Sequence, residues 1–175
     1  MLKSNRTSIV KIDEVGDLDH IPVSELRALY NYWCAKKGDR VMPSRSDIRP
    51  AEIVDLLSKV GLIDVEHAPR RYRLRLLGTE VVLALGQEMT GKYLDEISPS
   101  GSGMARLNKL VEQRTGYYVT SQLDWMNRGF QKYQAVFLPL GDEKGEVNMI
   151  LCGMRPYFQK GYVQGQGVKG GPNRL

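Results

Sequence analysis

The chain has 175 residues, of which 42% are hydrophobic and 26% are charged. This composition is ordinary for a globular protein, and the length fits one domain, so that no second domain is needed. No stretch approaches the roughly 18 uninterrupted apolar residues of a membrane-spanning helix, and residues 1–20 lack the apolar run of a signal peptide. We therefore expect a cytoplasmic protein without membrane contact.

The formal net charge of +5 is unevenly distributed along the chain. Residues 159–175 contain Lys160, Lys169 and Arg174, no acidic residue and five glycines. So little apolar surface cannot offset the entropy lost on ordering, and we predict a flexible basic tail. Residues 1–158 are nearly balanced in charge, which argues against a nucleic-acid-binding domain because such a domain needs a basic face on its folded body.

The first predicted helix follows Ser24, which can cap it, and stops at Gly38. Large apolar residues recur along it at helical spacing and form an apolar stripe. Such a stripe leaves a conspicuous exposed patch unless it packs on the domain or on a second copy of the chain. We predict a homodimer whose interface is this apolar stripe, which consists of Leu26, Leu29, Tyr30 and Trp33.

Pro50 is well placed as the first residue of a second helix that reaches about Lys59, with Ile53, Leu56 and Leu57 on its buried face. The first strand follows at Gly61–Glu66. A turn at residues 67–69 then leads into a second strand, which predicts an antiparallel hairpin.

The second strand, Arg71–Leu77, alternates basic and apolar residues, as a half-buried strand does. Its basic residues form an arginine row, which is either a solvated outer face or a contact for an acidic partner surface or a nucleic-acid backbone. The inner side of the strand is predicted to carry Tyr72, Leu74 and Leu76, and the arginine row consists of Arg71, Arg73 and Arg75.

A short helix is predicted after Gly78, with Thr79 as its cap and Gly86 at its exit. Residues 86–92 match the first seven positions of a phosphate-binding P-loop. Tyr93 occupies the eighth position, where Ser or Thr should hold a magnesium ion, and the segment follows a short helix rather than a buried strand. We therefore interpret it as an ordinary turn.

The last third of the chain predicts one helix, Met104–Arg114, and three strands. The helix has Met104, Leu107, Leu110 and Val111 on one face. The strands lie at Tyr117–Trp125, Phe130–Leu140 and Val147–Arg155, and the last two are joined by a glycine-containing hairpin turn. With helices grouped between the second and third of five strands, the chain is expected to form an α+β domain: an antiparallel sheet with helices on one face and an N-terminal helical extension.

Three segments resemble PAS domains, which are sensory and interaction modules of bacterial signalling. In Arg70–Ile97, the order of strand, short helices and Gly-Lys turn is similar to that of the family. Leu29–Ile53, with its pattern M-P-x-R-x-D-I-x-P-x-E-I, and Val136–Met154, with L-P-L and V-N-M-I-L, look like the opening and closing signatures of a small single-domain alphaproteobacterial PAS subfamily. The resemblance implies a five-stranded PAS fold over residues 21–158, preceded by an N-terminal extension at 1–20.

The resemblance brings no catalytic residue, and we expect no enzyme. Haem-binding PAS domains usually carry a ligand histidine on the helix after the Gly-Lys turn, and Met104–Arg114 contains none. Flavin-binding PAS domains resemble one another in an Asn-Cys-Arg motif that this chain lacks. Cys34 and Cys152 have neither disulfide-framework nor metal-ligand spacing and are expected to pack in the core. We predict no metal and no resident cofactor.

We predict a non-catalytic sensory or protein-interaction module that acts in trans, through an unidentified signalling partner or by self-association. A small, mostly apolar ligand is expected to bind between the sheet and the helices, unless the side chains there fill the space completely. The alternative is a small basic regulator that binds nucleic acid through the arginine row and the tail. The ligand-binding residues are predicted to be Tyr72, Leu74, Leu76, Tyr133 and Phe137.

Overall fold

A computed structural model describes residues 14–97, 102–123 and 128–157. They form an antiparallel sheet of six strands in the order β1-β4-β5-β6-β2-β3. The strands are β1 (Glu14–Gly16), β2 (Val60–His67), β3 (Arg70–Leu77), β4 (Tyr117–Leu123), β5 (Arg128–Gly141) and β6 (Val147–Tyr157). The helices are α1 (Ser24–Lys37), α2 (Thr79–Leu85), α3 (Leu94–Ile97) and α4 (Ser102–Gln113).

The predicted α+β class is confirmed, and the five predicted strands correspond to β2–β6. The strand β1 was not predicted, because three residues are too few to show an alternating pattern. It pairs with β4 inside the segment that we assigned to an N-terminal extension, with Val15 opposite Val119. The predicted tail at 159–175 lies outside the described residues.

The predicted second helix is wrong. The chain forms two short 3-10 helices instead, Pro50–Glu52 and Val54–Lys59, which are separated by Ile53 in a non-helical conformation. A 3-10 helix has three residues per turn, so Ile53 and Leu56 lie on one side and reach the core. Leu57, which we predicted to be buried, is 37% exposed.

The helices α2 and α4 lie on one face of the sheet, and α1, which we predicted as an N-terminal helical extension, lies on the opposite face. Glu25 of α1 pairs with Arg155, whose neighbour Gly153 approaches Leu26 and Leu29 on the same face. Ser24, predicted as the cap, is the first helical residue, and Gly38 ends the helix with a positive φ of 56°. The sheet is therefore covered by helices on both sides.

The apolar stripe on α1 belongs to the core of its own chain. Leu26 and Leu29 are buried, and the indole Nε1 of Trp33 donates a hydrogen bond of 2.9 Å to the carbonyl of Pro139. A side chain on Gly153 would come within 2.7 Å of Leu29, so the glycine allows the helix to approach closely. The premise of the predicted dimer, an uncovered stripe, is wrong.

A β-bulge in β3 changes which residues face inward. Leu76 pairs with Leu62 while Leu74 pairs with the next residue, Ile63, so that Arg75 is the extra residue. The alternation is therefore reversed beyond Arg75, which leaves Leu76 45% exposed. The prediction that Leu76 faces the helices is wrong, and Leu77 takes its place on the inner side.

The inner face of the sheet packs against α2 and α4. Val81, Ala84 and Leu85 of α2 are buried. The predicted apolar face of α4 is confirmed at Leu107, Leu110 and Val111, all of which are buried. The packing of these two helices against the sheet defines the region in which we predicted a ligand.

Candidate ligand cavity and surrounding polar contacts

A cavity of about 130 Å³ lies between the inner face of the sheet and helices α2 and α4. Its walls are mostly aliphatic and aromatic. An engineered apolar cavity of about 150 Å³ in another protein stays dry and binds benzene, so this volume can hold a ligand about as large as one benzene ring. Side chains that line it include Ile63, Leu74, Leu77, Leu85, Ala135 and Phe137.

Three of the five predicted ligand-binding residues, Leu74, Tyr133 and Phe137, line the cavity. Tyr72 is fully buried beside it, and its hydroxyl donates a hydrogen bond of 2.6 Å to Oδ1 of Asn108 on α4. Burial raises the pKa of Tyr72 to about 12. Tyr72 therefore joins β3 to α4 and does not line the cavity, and Leu76 lies on the outer surface.

Sequence reasoning missed a polar pair in the cavity wall. Tyr117 of β4 stacks on Phe137 with ring centroids 4.9 Å apart. Burial raises the pKa of Tyr117, and the nearby charge of Arg106 on α4 partly offsets this effect; both residues line the cavity. Arg106 lies four residues before the buried Leu110, so helical spacing could have placed it on the inner side of α4.

Cys152 also lines the cavity and is buried. Burial raises the pKa of its thiol to about 12, because the charged thiolate would lose its hydration there. The thiol is therefore protonated at neutral pH, whereas a nucleophilic cysteine acts as a thiolate. Cys34 on α1 is partly buried and packs against the core.

The arginine row is held by carboxylates of the same chain. Arg71 donates hydrogen bonds of 2.9 Å to both carboxylate oxygens of Asp95 and one of 3.0 Å to Glu96. Its guanidinium lies 3.6 Å from the ring centroid of Tyr93. The hydrogen bonds from Arg71 lower the pKa of Asp95. This cluster ties α3 and the preceding turn to the outer face of β3.

The other two arginines of the row share one acidic partner. Asp64 of β2 lies 3.0 Å from Arg73 and 3.5 Å from Arg75, and its side chain is largely shielded from solvent. A contact between the arginine row and an external anion would have to compete with these intramolecular pairs. The geometry therefore favours neither a free basic patch nor a nucleic-acid contact.

The P-loop-like segment forms a turn, as we interpreted it. Gly86 ends α2 with a φ of 78°, and Gly91 has a φ of 89°. The amide of Gly91 donates to the carbonyl of Leu74 at 2.6 Å, and the amide of Thr90 donates to the side chain of Glu88. Backbone amides that would hold a phosphate in a P-loop thus make hydrogen bonds within the fold.

Both histidines are exposed, and each has a polar partner within the fold. Nδ1 of His20 lies 2.9 Å from Asp17, and Nε2 of His67 lies 2.9 Å from the carbonyl of Val147. Within residues 14–97, 102–123 and 128–157, no group of three His, Cys, Asp or Glu side chains is arranged to hold a metal ion. No helix in these same ranges is long and apolar enough to span a membrane.

Of the five strands β2–β6, the first and the last, β2 and β6, are neighbours in the sheet. The cavity lies beneath the helices that follow β3. This is the architecture of a PAS-like sensor domain. The family model described as "PAS domain" matches residues 21–154. The chain therefore belongs to the PAS domain family, and the resemblance noted from the sequence is confirmed.

Solved structures with a similar fold come from sensory proteins of low sequence identity. A sensory box sensor histidine kinase from Vibrio cholerae is 14% identical, with coverage of 61% of this chain and 87% of that chain and a TM-score of 0.44. A sensory box histidine kinase/response regulator from Burkholderia thailandensis E264 is 18% identical, with coverage of 62% and 84% and a TM-score of 0.41. A search of curated proteins found no significant match.

Proposed function

We propose that this chain is a non-catalytic cytoplasmic sensor module that binds a small, mostly apolar ligand and acts in trans through a signalling partner. The observation that carries the proposal is the apolar cavity between the sheet and helices α2 and α4. Membership of the PAS domain family, whose members serve as sensory modules, supports the same function. Core packing alone would favour a filled interior, because voids of this size cost stability.

The helix α2 connects the cavity to the protein surface. Val81 and Leu85 on one side line the cavity, and Leu83 on the other side is 71% exposed. A ligand that alters the packing of Val81 and Leu85 would therefore also shift the outer surface of α2. Such a shift is how occupancy can change what a partner recognises, provided that the ligand binds the two arrangements with different affinity.

The same helix is tied to the 3-10 segment Val54–Lys59. The carboxylate of Glu80 accepts hydrogen bonds from Ser58 at 2.8 Å and from Lys59 at 2.9 Å. We propose that α2 and this segment move as one unit when the cavity is filled. Output through the apolar stripe of α1 is not part of the proposal, because that stripe is buried against the sheet.

The experiment is a thermal-shift screen of the full chain with benzene-sized apolar compounds. A ligand at a hundred times its dissociation constant stabilises the folded state by about 2.7 kcal/mol, which is a readily measured shift in Tm. The variant Ala135→Leu fills the cavity from a fully buried position on β5 and should lose the shift. The control Ala51→Leu adds the same atoms at an exposed site and should keep it. A flat screen with the unaltered protein would overturn the sensor proposal.

A further inference from the structure

The short helix α3 forms part of the cavity wall beside the edge strand β3. Its first residue, Leu94, lines the cavity and is only partly buried, so it lies between the cavity and solvent. Ile97, at the other end of α3, also packs against the core without being fully buried. None of the four residues of α3 is buried, and the helix packs mainly on β3. Apolar contact alone therefore holds this part of the wall weakly.

The other elements of the wall are anchored more firmly. The helices α2 and α4 each bury at least three apolar side chains in the core. Met104, in the first turn of α4, is a second partly exposed residue of the wall, but Asn108 further along α4 accepts a 2.6 Å hydrogen bond from Tyr72. The strands are held by the hydrogen bonds of the sheet. Because local opening begins where the fewest buried contacts must break, α3 is the part of the wall that opens most readily.

Polar contacts with Arg71 keep α3 against β3. The guanidinium donates hydrogen bonds to both carboxylate oxygens of Asp95 and a third to Glu96. It also lies 3.6 Å from the ring centroid of Tyr93, whose hydroxyl donates a 2.8 Å hydrogen bond to Glu66 of β2. A bidentate contact between arginine and a carboxylate fixes orientation as well as distance. Asp95 and Glu96 both belong to α3, so loss of these contacts would release the helix and leave the sheet intact.

From these observations we infer that α3 is a gate through which a ligand enters and leaves the cavity, and that Arg71 is the latch that keeps the gate closed. The inference rests on the proposed sensor function, because a gate matters only where a ligand binds, and it specifies how access to that site is controlled. An open gate speeds entry and exit alike. The latch therefore sets the rate of ligand exchange more than the affinity.

Cys152 is a natural reporter of access to the cavity, because it lines the cavity and is buried. The full chain is incubated with 4,4′-dithiodipyridine, a neutral aromatic disulfide. Attack by the Cys152 thiolate on one sulfur of the reagent forms a mixed disulfide, breaks the S–S bond of the reagent and releases one pyridinethiolate. Peptide mass spectrometry then measures the labelling rates of Cys152 and Cys34 separately. Cys34 lies on α1, on the other face of the sheet, and serves as the internal reference.

The variant Arg71→Gln is expected to raise the labelling rate of Cys152 roughly fivefold, the change expected from loss of an ion-pair network near the surface, and to leave Cys34 unchanged. Asp95→Asn weakens the latch from the side of α3 and should act in the same direction. The matched control is Arg75→Gln, which removes another arginine of β3 whose partner is Asp64 of β2. This control should be labelled at the rate of the unaltered chain.

Unchanged labelling of Cys152 in both latch variants would overturn the inference, as would an equal acceleration in Arg75→Gln. Dilute urea separates the gate from global unfolding. Opening of one short helix exposes little surface, so the labelling rate should depend weakly on urea. A steep dependence would mean that the reagent enters by unfolding of the whole domain, and it would also overturn the inference.

If Arg71→Gln lacks a native circular dichroism spectrum, Asp95→Asn decides the question, because the side chain of Asp95 is 44% exposed and its substitution leaves the core untouched. The labelling experiment requires no ligand. A negative result therefore overturns the gate and leaves the sensor proposal standing. A flat thermal-shift screen overturns the sensor proposal and does not alter the labelling rates.

Discussion

At the scale of single residues, close packing on the outer face of the sheet determines what each position tolerates. Trp33 fills the space between α1 and β5, and its indole N–H satisfies the carbonyl of Pro139. Gly153 on β6 is equally constrained, because Leu26 and Leu29 occupy the space that a side chain would need. These two positions therefore give sharp tests of the position of α1.

Truncation of Trp33 should destabilise the fold and leave the assembly state unchanged. Trp33→Ala removes a buried aromatic side chain, which costs about 3–5 kcal/mol, and removes the hydrogen bond to the carbonyl of Pro139. Leu83→Ala, at an exposed position on α2, should change stability by no more than about 0.5 kcal/mol. Urea unfolding gives both values, and light scattering gives the mass. If Trp33→Ala changed the mass of the protein in solution but not its stability, Trp33 would belong to a dimer interface and not to the core of its own chain.

Substitution of two glycines should have effects of opposite sign. Gly153→Ala places a methyl group 2.7 Å from Leu29 and 3.1 Å from Leu26, and overpacking of this kind costs about 1–3 kcal/mol. Gly103→Ala, inside α4, meets no atom within 4 Å, and the higher helix propensity of alanine adds up to about 1 kcal/mol. Thermal unfolding of both variants checks the prediction. If Gly153→Ala proves neutral, α1 does not pack this closely on β6.

At the scale of elements, polar contacts decide how the short helices attach to the sheet. The helix α3 has four residues and none of them is buried, so propensity and burial alone would not hold it in place. Arg71 joins it to β3 through Asp95 and Glu96. The arginine row thus contributes to architecture by holding α3 at the β3 edge of the sheet.

Removal of Arg71 should loosen α3 in a manner that depends on pH and salt. The pKa of Asp95 is lowered in the folded state from its ordinary 3.8. The contribution of the pair is therefore fully present above pH 3.8 and is lost as the pH falls through the lowered value. Arg71→Gln should be less stable than the unaltered chain at pH 6, and the gap should close in acid and in high salt.

Stability curves at several pH values and salt concentrations measure this gap. Arg45 is a suitable control, because it donates a hydrogen bond to the carbonyl of Ile48 and lies far from α3 in the chain. Arg45→Gln should show no such closing of the gap near pH 3.8. A gap for Arg71→Gln that stays constant with pH would mean that Asp95 does not carry the effect.

At the scale of the whole molecule, the sheet is a layer between α1 on one side and α2 and α4 on the other. The strands β5 and β6 lie at its centre and contain fully buried residues such as Val136, Leu138 and Ile150. The strands β1 and β3 are its edges. Local opening occurs most readily where few buried contacts must break. The protection of backbone amides against hydrogen exchange should therefore decrease from the centre of the sheet to its edges.

Hydrogen exchange measured by mass spectrometry should follow this order. Backbone amides of β6 are expected to exchange most slowly and those of β1 most rapidly, since β1 has three residues and one neighbouring strand. A ligand in the cavity should slow exchange in α2 and α4 more than in α1, which lies on the other face. Equal protection of β1 and β6 would contradict the layered arrangement.

The amino-acid sequence by itself determined the elements whose local signals are strong: the helix α1 with its glycine stop, the hairpin of β2 and β3, the apolar face of α4 and the last hairpin. It also determined the family, because the opening and closing motifs are specific. Three features depended on tertiary structure. The bulge at Arg75 reverses the alternation of inward and outward side chains along β3, and the spacing of residues in the sequence does not predict it. Contact with the sheet buries the stripe on α1, which local periodicity cannot distinguish from a dimer interface.

The third feature is the cavity, which the sequence could place between β3 and β5 but could not show to be empty. Whether side chains fill a space depends on how far apart the backbone holds them, and that distance is a property of the packed fold. For the same reason, Arg106 emerged as a cavity residue only when α4 was seen against Tyr117. Local sequence determines which face of an element is apolar, and only the assembled layers decide what that face meets.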